Sequence, residues 1–321
     1  MYTTPVHIEP FPKKINYTDK IFLLGSCFSN HLTEKLKYYL FDALNNPFGV
    51  LYNPASIELA LNLTANKRKI TSSDFFQEQD IYKSFYFHSQ WADTNLTRLI
   101  EAINKTIEHV HDYIRHSQWV FITFGTAYIY ELKANKQIVA NCHKQHPKNF
   151  NHRMLSLLET CAYIEKIASH LYRLNPHAQL VFTISPVRYL KDGAHQNQLS
   201  KSTLHLALNE YLHQDNRAYY FPSYEIFIDE LRDYRYYAAD MIHPSDVGIE
   251  HVWKRFSETF FDTASSQLMN QVADIQTALN HRPQFPESKQ YQLFKQRLEQ
   301  KIATLKKILP QIASLEAYIN S

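Results

Sequence analysis

Glycine and cysteine are scarce in this chain, and both shortages limit what it can be. The 321 residues include five glycines, whereas average usage predicts about 22. Because glycine is kept where the backbone needs positive φ or a close approach, we expect these five to mark functional turns. The three cysteines cannot all pair and form no CxxC motif, which indicates reduced thiols and a cytoplasmic protein.

Charge and hydropathy exclude several classes of partner. Net charge is +3 when the histidines are neutral, so the basic footprint of a nucleic-acid-binding protein is missing. No apolar run is long enough to span a bilayer, and the first residues lack the apolar stretch of a signal peptide. We therefore expect no nucleic-acid partner and no membrane association. The 45% apolar content is that of a globular protein with a full-sized core.

Short apolar runs alternate with helical patterns along most of the chain. Residues 21–24, 119–124 and 179–184 are predicted to be buried strands, and residues 96–114 and 247–261 have the spacing of amphipathic helices. Strands separated by helices favour an α/β fold with a mostly parallel sheet. Ligands bind such sheets at the carboxyl ends of the strands, which is where glycine and polar clusters fall in this sequence.

The sequence changes character after about residue 262. Residues 264–280 and 288–319 are rich in Gln, Lys, Leu, Ile and Ala with helical periodicity, and RPQFPES separates them. We predict an α/β domain over residues 1–262 and a C-terminal helical hairpin over residues 263–321. The hairpin is expected to serve packing or homo-oligomerisation.

Gly25, Ser26 and Cys27 follow the first predicted strand directly. A nucleophile on a tight strand-to-helix turn benefits from the helix N–H groups, which lower a thiol pKa and bind an oxyanion. The alternative is a buried structural cysteine after an ordinary turn, because free cysteine packs as a small apolar residue.

Asp240 precedes His243 by three residues, just ahead of a predicted helix. A carboxylate at this spacing can orient an imidazole through one ring nitrogen and leave the other free to act as a general base. The alternative is that Asp240 caps a turn and His243 is an ordinary loop residue.

Taken together, these segments resemble the GSCFA family of the SGNH (GDSL-type) hydrolase superfamily. The resemblance extends over residues of roughly 18–262 and is carried by GSCFS, NPFGVLYNP, FGTA, NCHK, SPVR, GAHQNQLSK and DMIHPSDVG. GSCFS differs from the family's namesake motif only at Ser29, where the family has alanine. The resemblance implies a three-layer α/β sandwich with a flavodoxin-like sheet. It also implies a hydrolase or acyltransferase acting on an ester, such as an O-acyl carbohydrate, without a cofactor or metal.

The resemblance also implies roles for individual residues. Cys27 falls at the nucleophile position, although a shift of one residue would make Ser26 the nucleophile instead. His243 would be the base, and Asp240 would orient it. The N–H of Gly49 is the candidate for a second oxyanion donor, beside the nucleophile's own N–H.

The SGNH superfamily has a third sequence block, Gly-x-Asn, and this chain departs from it. Where Gly-x-Asn is expected, the chain has Gly125 and Thr126 followed by alanine, so Thr126 or Asn141 would have to replace the missing amide. Losing one such donor costs on the order of 10²–10³ in rate. The departure supports an alternative function, a non-catalytic protein that keeps the hydrolase fold and binds a glycan or acyl ligand.

Three more polar residues are candidates for substrate binding. Arg188 and Lys201 could hold an anionic or sugar-bearing substrate, and surface salt bridges are the alternative explanation. His143 lies in NCHK, which has no second Cys-His pair at zinc-ligand spacing, so we expect no metal site.

Overall fold

The computed structural model describes residues 4–318 of the chain. Its strands are β1 Lys20–Gly25, β2 Asp42–Asn45, β3 Phe76–Glu78, β4 Ile81–Lys83, β5 Ala92–Asp93, β6 Trp119–Phe124, β7 Tyr128–Leu132, β8 Ile138–Val139, β9 Phe150–Met154, β10 Gln179–Ile184 and β11 Ala218–Phe221. Its α-helices are α1 Phe28–Tyr38, α2 Pro54–Ala65, α3 Leu96–Arg115, α4 Leu157–Leu174, α5 Ala194–Gln214, α6 Ser223–Glu225, α7 Asp246–Phe260, α8 Thr263–Leu279 and α9 Lys289–Lys306. A 3₁₀ helix spans Pro310–Tyr318.

A five-stranded sheet forms the centre of the molecule, in the order β11-β10-β6-β1-β2. Every pairing in this sheet is parallel. Leu24 pairs with Ile122, and Ile122 in turn pairs with Phe182. These strands are continuous apolar runs because both faces of the sheet are covered. The predicted α/β fold with a mostly parallel sheet is confirmed.

The two faces of the sheet bury separate apolar clusters. Phe22, Val120 and Phe182 face a cluster built with α2, α3, α4 and α5. The alternate residues Leu23 and Phe121 face a second cluster built with α1, α7, α8 and α9. Alternation along each strand thus gives a three-layer sandwich, as the resemblance implied.

Two small antiparallel sheets lie outside this sandwich, in the orders β3-β4-β5 and β8-β7-β9. Strand β9 ends at Met154, and α4 begins at Leu157 with Ser156 as its N-cap residue. There Ser156 and Glu159 form a reciprocal capping box, in which each side chain accepts a hydrogen bond from the other's backbone N–H.

The C-terminal helices pack on the same core as the sheet. Val272 and Ile275 of α8 and Ile302 of α9 are buried in the cluster that also holds Leu23. The predicted helical hairpin is confirmed, whereas the division into domains at residue 262 stays a prediction. Residues 1–3 and 319–321 of those predicted domains lie outside the described residues. Within residues 4–318, no helix combines the length and apolar character needed to cross a membrane.

Candidate active site

Gly25 ends β1 in a turn that tolerates no side chain. Its φ is +141°, and a Cβ there would lie 2.1 Å from the Thr123 carbonyl oxygen of β6. The next N–H, that of Ser26, donates to this same oxygen at 3.0 Å, and the Gly25 N–H donates to Asn46 Oδ1 at 2.8 Å. The end of β1 is therefore fixed between β6 and the loop after β2.

The turn buries Ser26 and leaves Cys27 accessible. Ser26 is 1% exposed, and its Oγ has no hydrogen-bond partner among the described residues. Cys27 is partly exposed and is the N-cap residue of α1. Of the two adjacent candidates, Cys27 is the more exposed residue.

Burial and several nearby groups shift the pKa of the Cys27 thiol in opposite directions. Burial raises the pKa of Cys27, while the N–H groups of Cys27 and Phe28 and the nearby charge of Lys201 lower it, and burial outweighs them. The two N–H groups lie at the helix N-terminus, where orphan donors favour a negative sulfur or oxygen. The site thus has donors in place for developing negative charge.

Lys201 of α5 approaches the site from inside the protein. Its side chain is 0% exposed, and its Nζ donates to the carbonyl oxygens of Gly125 at 2.7 Å and Ser185 at 2.6 Å. These carbonyls follow the ends of β6 and β10. Burial lowers the pKa of Lys201 to about 7. The explanation of Lys201 as part of a surface salt bridge is therefore wrong.

Gly125 and Thr126, which stand where the superfamily has its third block, Gly-x-Asn, are held by backbone hydrogen bonds to Tyr52. The N–H groups of Gly125 and Thr126 both donate to the Tyr52 carbonyl oxygen, at 2.7 and 3.0 Å, and Thr126 Oγ1 lies 3.0 Å from Ser200 Oγ. Both of these N–H groups are therefore engaged, whereas either oxygen can be the donor in the bond between the Thr126 and Ser200 hydroxyls.

The Tyr52 ring lies against this turn and beside Cys27. A Cβ on Gly125 would lie 3.2 Å from the ring, and burial and Cys27 both raise the pKa of Tyr52. With 45% of its surface exposed, Tyr52 is available to a ligand. Tyr52 was not predicted as a site residue, although it lies within the motif NPFGVLYNP.

Gly49 is explained by packing. Its φ is +85°, and a Cβ there would lie 2.2 Å from His88 Cβ. Its N–H donates to the Asn46 carbonyl oxygen at 2.8 Å, so Gly49 would have to break that bond in order to bind an oxyanion.

Asp240 and His243 form a local pair. His243 Nδ1 donates to Asp240 Oδ2 at 2.6 Å, and each side chain is 48% exposed. Hydrogen bonds from the His243 N–H, the His243 ring and the Ile242 N–H lower the pKa of Asp240 to about 2. No hydrogen bond joins His243 to Cys27 within residues 4–318.

The remaining candidates are dispersed. His143 is 5% exposed and packs beside Phe76 and Phe85, with Nε2 2.7 Å from the Ser84 carbonyl oxygen. Asn141 Oδ1 accepts a hydrogen bond from the His143 N–H at 2.7 Å. These bonds hold the loop itself, and the structure does not bring His143 or Asn141 into contact with Cys27. Arg188 is exposed on the loop after β10.

Comparison with models of known families identifies the family of the chain. The model of the GSCFA family matches residues 20–256. The chain belongs to the GSCFA family. A second model, that of the C-terminal domain of GSCFA domain proteins, matches residues 272–320. In this GSCFA protein the first match includes Cys27, Lys201, Asp240 and His243. No curated protein sequence matches the chain.

Three solved structures are similar to this GSCFA protein at low identity. An acetyl xylan esterase (Est2A) from the rumen bacterium Butyrivibrio proteoclasticus is 10% identical, with 81% of this chain and 66% of that chain covered and a TM-score of 0.38. A carbohydrate esterase family 3 protein from Talaromyces cellulolyticus is 8% identical, with 80% and 99% covered and a TM-score of 0.36. An acetyl esterase mutant with acetate ion is 7% identical, with 80% and 99% covered and a TM-score of 0.34.

Proposed function

We propose that this protein is an ester hydrolase or acyltransferase of SGNH type in which Cys27 is the nucleophile. The observation that carries the proposal is the turn at the end of β1. It holds Cys27 partly exposed over helix N–H groups and buries Ser26. The same turn opens the segment that the GSCFA family model matches.

The proposed reaction has two steps. Cys27 gives its thiol proton to His243 as Sγ attacks the ester carbonyl carbon, and the N–H groups of Cys27 and Phe28 stabilise the negative oxygen that forms. The carbon–oxygen bond then breaks, His243 passes that proton to the departing alcohol, and a thioester remains on Cys27. In the second step water or an acceptor hydroxyl attacks the thioester and gives its proton to His243, the carbon–sulfur bond breaks, and His243 returns the proton to Cys27 Sγ.

This role requires His243 to reach the leaving group of a substrate bound at Cys27. One contact supports it, because Asp240 holds Nδ1 of the His243 ring and so leaves Nε2 open. Helix α7, which begins three residues after His243, packs beside α1 through the ion pair of Lys35 with Glu250. The two helices are therefore neighbours on one face of the sheet, and this ion pair lies at the end of α1 opposite to Cys27.

Tyr52 and Arg188 indicate the substrate class. The half-exposed Tyr52 ring beside Cys27 offers an apolar face on which a sugar ring can stack. Arg188 is exposed, is close enough to affect the pKa of Lys201, and makes no ion pair among the described residues. We propose an O-acylated carbohydrate or small metabolite, with Arg188 contacting an anionic substituent when one is present.

A second candidate function is ligand binding without turnover. It is favoured by the two N–H groups of Gly125 and Thr126, which are already bound to the Tyr52 carbonyl. With the third-block amide missing, the oxyanion has fewer donors than in the superfamily pattern. A binding protein would use the same cleft and form no thioester.

Mass spectrometry of the intact protein after exposure to p-nitrophenyl acetate tests the proposal. We expect one acetyl adduct in the natural protein and in Ser26→Ala, and none in Cys27→Ala. Cys161→Ala, which removes a partly buried thiol from α4, is the matched control. Adduct formation that persists in Cys27→Ala and disappears in Ser26→Ala would assign the reaction to Ser26. No adduct in any variant would favour the binding function.

A further inference from the structure

Asn46 is buried just after β2, and its backbone and side chain are hydrogen-bonded through every polar group. It is 7% exposed. Its backbone N–H donates to the Leu23 carbonyl oxygen at 3.0 Å, and its carbonyl oxygen accepts from the Gly49 N–H at 2.8 Å. Its side-chain Oδ1 accepts from the Gly25 N–H at 2.8 Å, and its Nδ2 donates to Asn30 Oδ1 at 2.9 Å. Asn46 therefore contacts both β1 and α1.

The two side-chain bonds of Asn46 lie on either side of Cys27 in the sequence. Gly25 ends β1 just before the turn, and Asn30 lies in the first turn of α1. The Asn30 N–H donates to the Cys27 carbonyl oxygen at 3.0 Å, and Asn45 Nδ2 donates to the same Asn30 side-chain oxygen at 2.6 Å. One buried side chain thus joins the end of the strand to the start of the helix, and the segment between them carries the thiol.

The other contact that holds the first turn of α1 does not replace Asn46. Ser29 Oγ donates to Thr123 Oγ1 of β6 at 3.1 Å and fixes the side of the turn that faces β6. This bond does not reach the N–H of Gly25, which has its acceptor in Asn46. Loss of the Asn46 side chain would therefore leave a buried N–H unpaired where the turn begins.

Asparagine suits this position in both its backbone and its side chain. The φ of Asn46 is +43°, in the left-handed region that asparagine adopts more readily than most residues. Its amide accepts one hydrogen bond and donates another. Aspartate could accept from Gly25 but has no N–H for Asn30, and glycine would keep the backbone conformation but make neither bond.

We propose that Asn46 is a positioning residue, which fixes the turn that presents Cys27 and thereby sets the reactivity of its thiol. The N–H groups of Cys27 and Phe28 favour the thiolate, and their direction depends on the first turn of α1 staying in place at the end of β1. Asn46 acts through this geometry and not by contact with a substrate. The proposal rests on the proposed function for the use of the thiol.

Two titratable groups face Cys27 from other elements within residues 4–318. Lys201 of α5 lowers the pKa of the thiol, and Tyr52 lies beside it on the loop after β2. Neither side chain is hydrogen-bonded to Asn46. A shift in the reactivity of Cys27 after substitution of Asn46 therefore reports on the turn itself.

Alkylation of Cys27 tests the role of Asn46 without an ester substrate. The rate of reaction with iodoacetamide is followed from pH 6 to pH 10 in Cys142→Ser/Cys161→Ser protein, where Cys27 is the remaining thiol. Adding Asn46→Gly permits the same φ and removes both side-chain bonds. Because the helix N–H groups then stabilise the thiolate less, the profile should move upward by about half a pH unit or more.

Asn175→Gly is the matched control. Asn175 Nδ2 donates to the carbonyl oxygens of Ile114 and Ser117, at 3.3 and 2.8 Å, near the edge of the sheet where the strands begin. Its loss also removes side-chain bonds to the backbone, so it should lower the free energy of unfolding and leave the alkylation profile in place. An unchanged profile in Asn46→Gly, or an equal shift in the two variants, would overturn the proposal.

A second variant covers the case in which Asn46→Gly does not fold. Asn30→Ala removes the acceptor on α1 and leaves the bond between Gly25 and Asn46 in place, and Asn30 is only partly buried. The alkylation profile of Asn30→Ala should move in the same direction by a smaller amount. An unshifted profile in folded Asn30→Ala protein would also overturn the proposal.

Failure of this proposal and failure of the proposed function are distinguishable. A protein that hydrolyses no ester and still shows the Asn46-dependent alkylation profile would keep the positioning role and lose the hydrolase. A protein that forms the acetyl adduct on Cys27, with an alkylation profile independent of Asn46, would keep the hydrolase and lose the positioning role.

Discussion

Asp240 accepts three hydrogen bonds within three residues of chain, from the N–H groups of Ile242 and His243 and from the His243 ring. These bonds lower the pKa of Asp240 to about 2, so the carboxylate stays charged, and the pair intact, as the pH falls toward that value. Because the contact is local, a spacing of three residues was enough to predict it. The burial of Lys201 depends on carbonyls 76 and 16 positions away, and no local pattern could have predicted it.

The first prediction concerns Asp240→Asn. The amide keeps the shape of the side chain but removes the charge that orients and stabilises the protonated imidazole. We expect kcat of the proposed ester hydrolysis to fall by at least about 10²-fold with little change in thermal stability. Asp246→Asn, an exposed carboxylate at the start of α7, is the control. An unchanged kcat in Asp240→Asn would remove the pair from the mechanism.

The second prediction concerns Lys201 and the dependence of stability on pH. Burial lowers the pKa of Lys201 from 10.5 to about 7. Between about pH 7 and pH 9 the unfolded chain therefore binds a proton here that the folded chain has released, so the free energy of unfolding rises with pH. The slope should approach about 1.4 kcal/mol per pH unit. Above that range the raised pKa of Cys27 acts in the opposite direction, because the folded chain keeps the thiol proton longer.

Urea unfolding at pH 7, 8 and 9 measures this slope. Lys201→Met should flatten it, whatever the change in absolute stability. Lys254→Met, on the exposed side of α7, should leave it unchanged. Equal slopes in the natural protein and in Lys201→Met would show that Lys201 titrates normally in the folded chain.

At the level of single elements, the predictions from the sequence succeeded where the local signal was complete. Strands β6 and β10 have the bounds that their apolar runs predicted. Helix α5, Ala194–Gln214, is not among the helices that the apolar spacing predicted, because its first turns carry few apolar residues. The strands of the small sheet β8-β7-β9 are also absent from the predicted strands, since they are half-buried and short.

The third prediction compares two glycines with positive φ. Gly25→Ala places a Cβ 2.1 Å from the Thr123 carbonyl oxygen, whereas Gly193→Ala, at φ +93°, meets nothing within 4 Å. Both substitutions strain the backbone by about 1 kcal/mol, but only Gly25→Ala must also push β1 away from β6. We expect Gly25→Ala to lower the free energy of unfolding by at least about 3 kcal/mol and Gly193→Ala by about 1. Urea unfolding compares them, and equal losses would contradict the role of the clash.

At the scale of the whole molecule, the order of the parallel strands explains why residues far apart in sequence meet at one edge. The ends of β1, β6 and β10 bring Cys27, Gly125 and Ser185 side by side. The segments that carry them were predicted to lie at strand ends. Which backbone groups would be free was not predictable at the end of β6, because the N–H groups of Gly125 and Thr126 are engaged by the Tyr52 carbonyl, which only the tertiary structure brings there.

The fourth prediction asks whether the C-terminal helices are part of the core or an attachment for self-association. Ile275 of α8 is 0% exposed in the cluster beneath the central sheet, whereas Leu293 of α9 is 54% exposed. Ile275→Ala should therefore cost about 2–5 kcal/mol of unfolding free energy, through lost apolar burial and the cavity left behind. Leu293→Ala should change it by less than about 0.5 kcal/mol.

Size-exclusion chromatography of the two variants then separates the roles that the sequence left open. If Leu293→Ala lowers the oligomeric state at unchanged stability, the exposed side of the hairpin is a contact between copies of this chain. If it changes neither property while Ile275→Ala is strongly destabilised, the hairpin serves the core. In that case the helices are needed to cover the face of the sheet on which α1 and the Cys27 turn are built, because without them the apolar side chains of that face would be exposed to water.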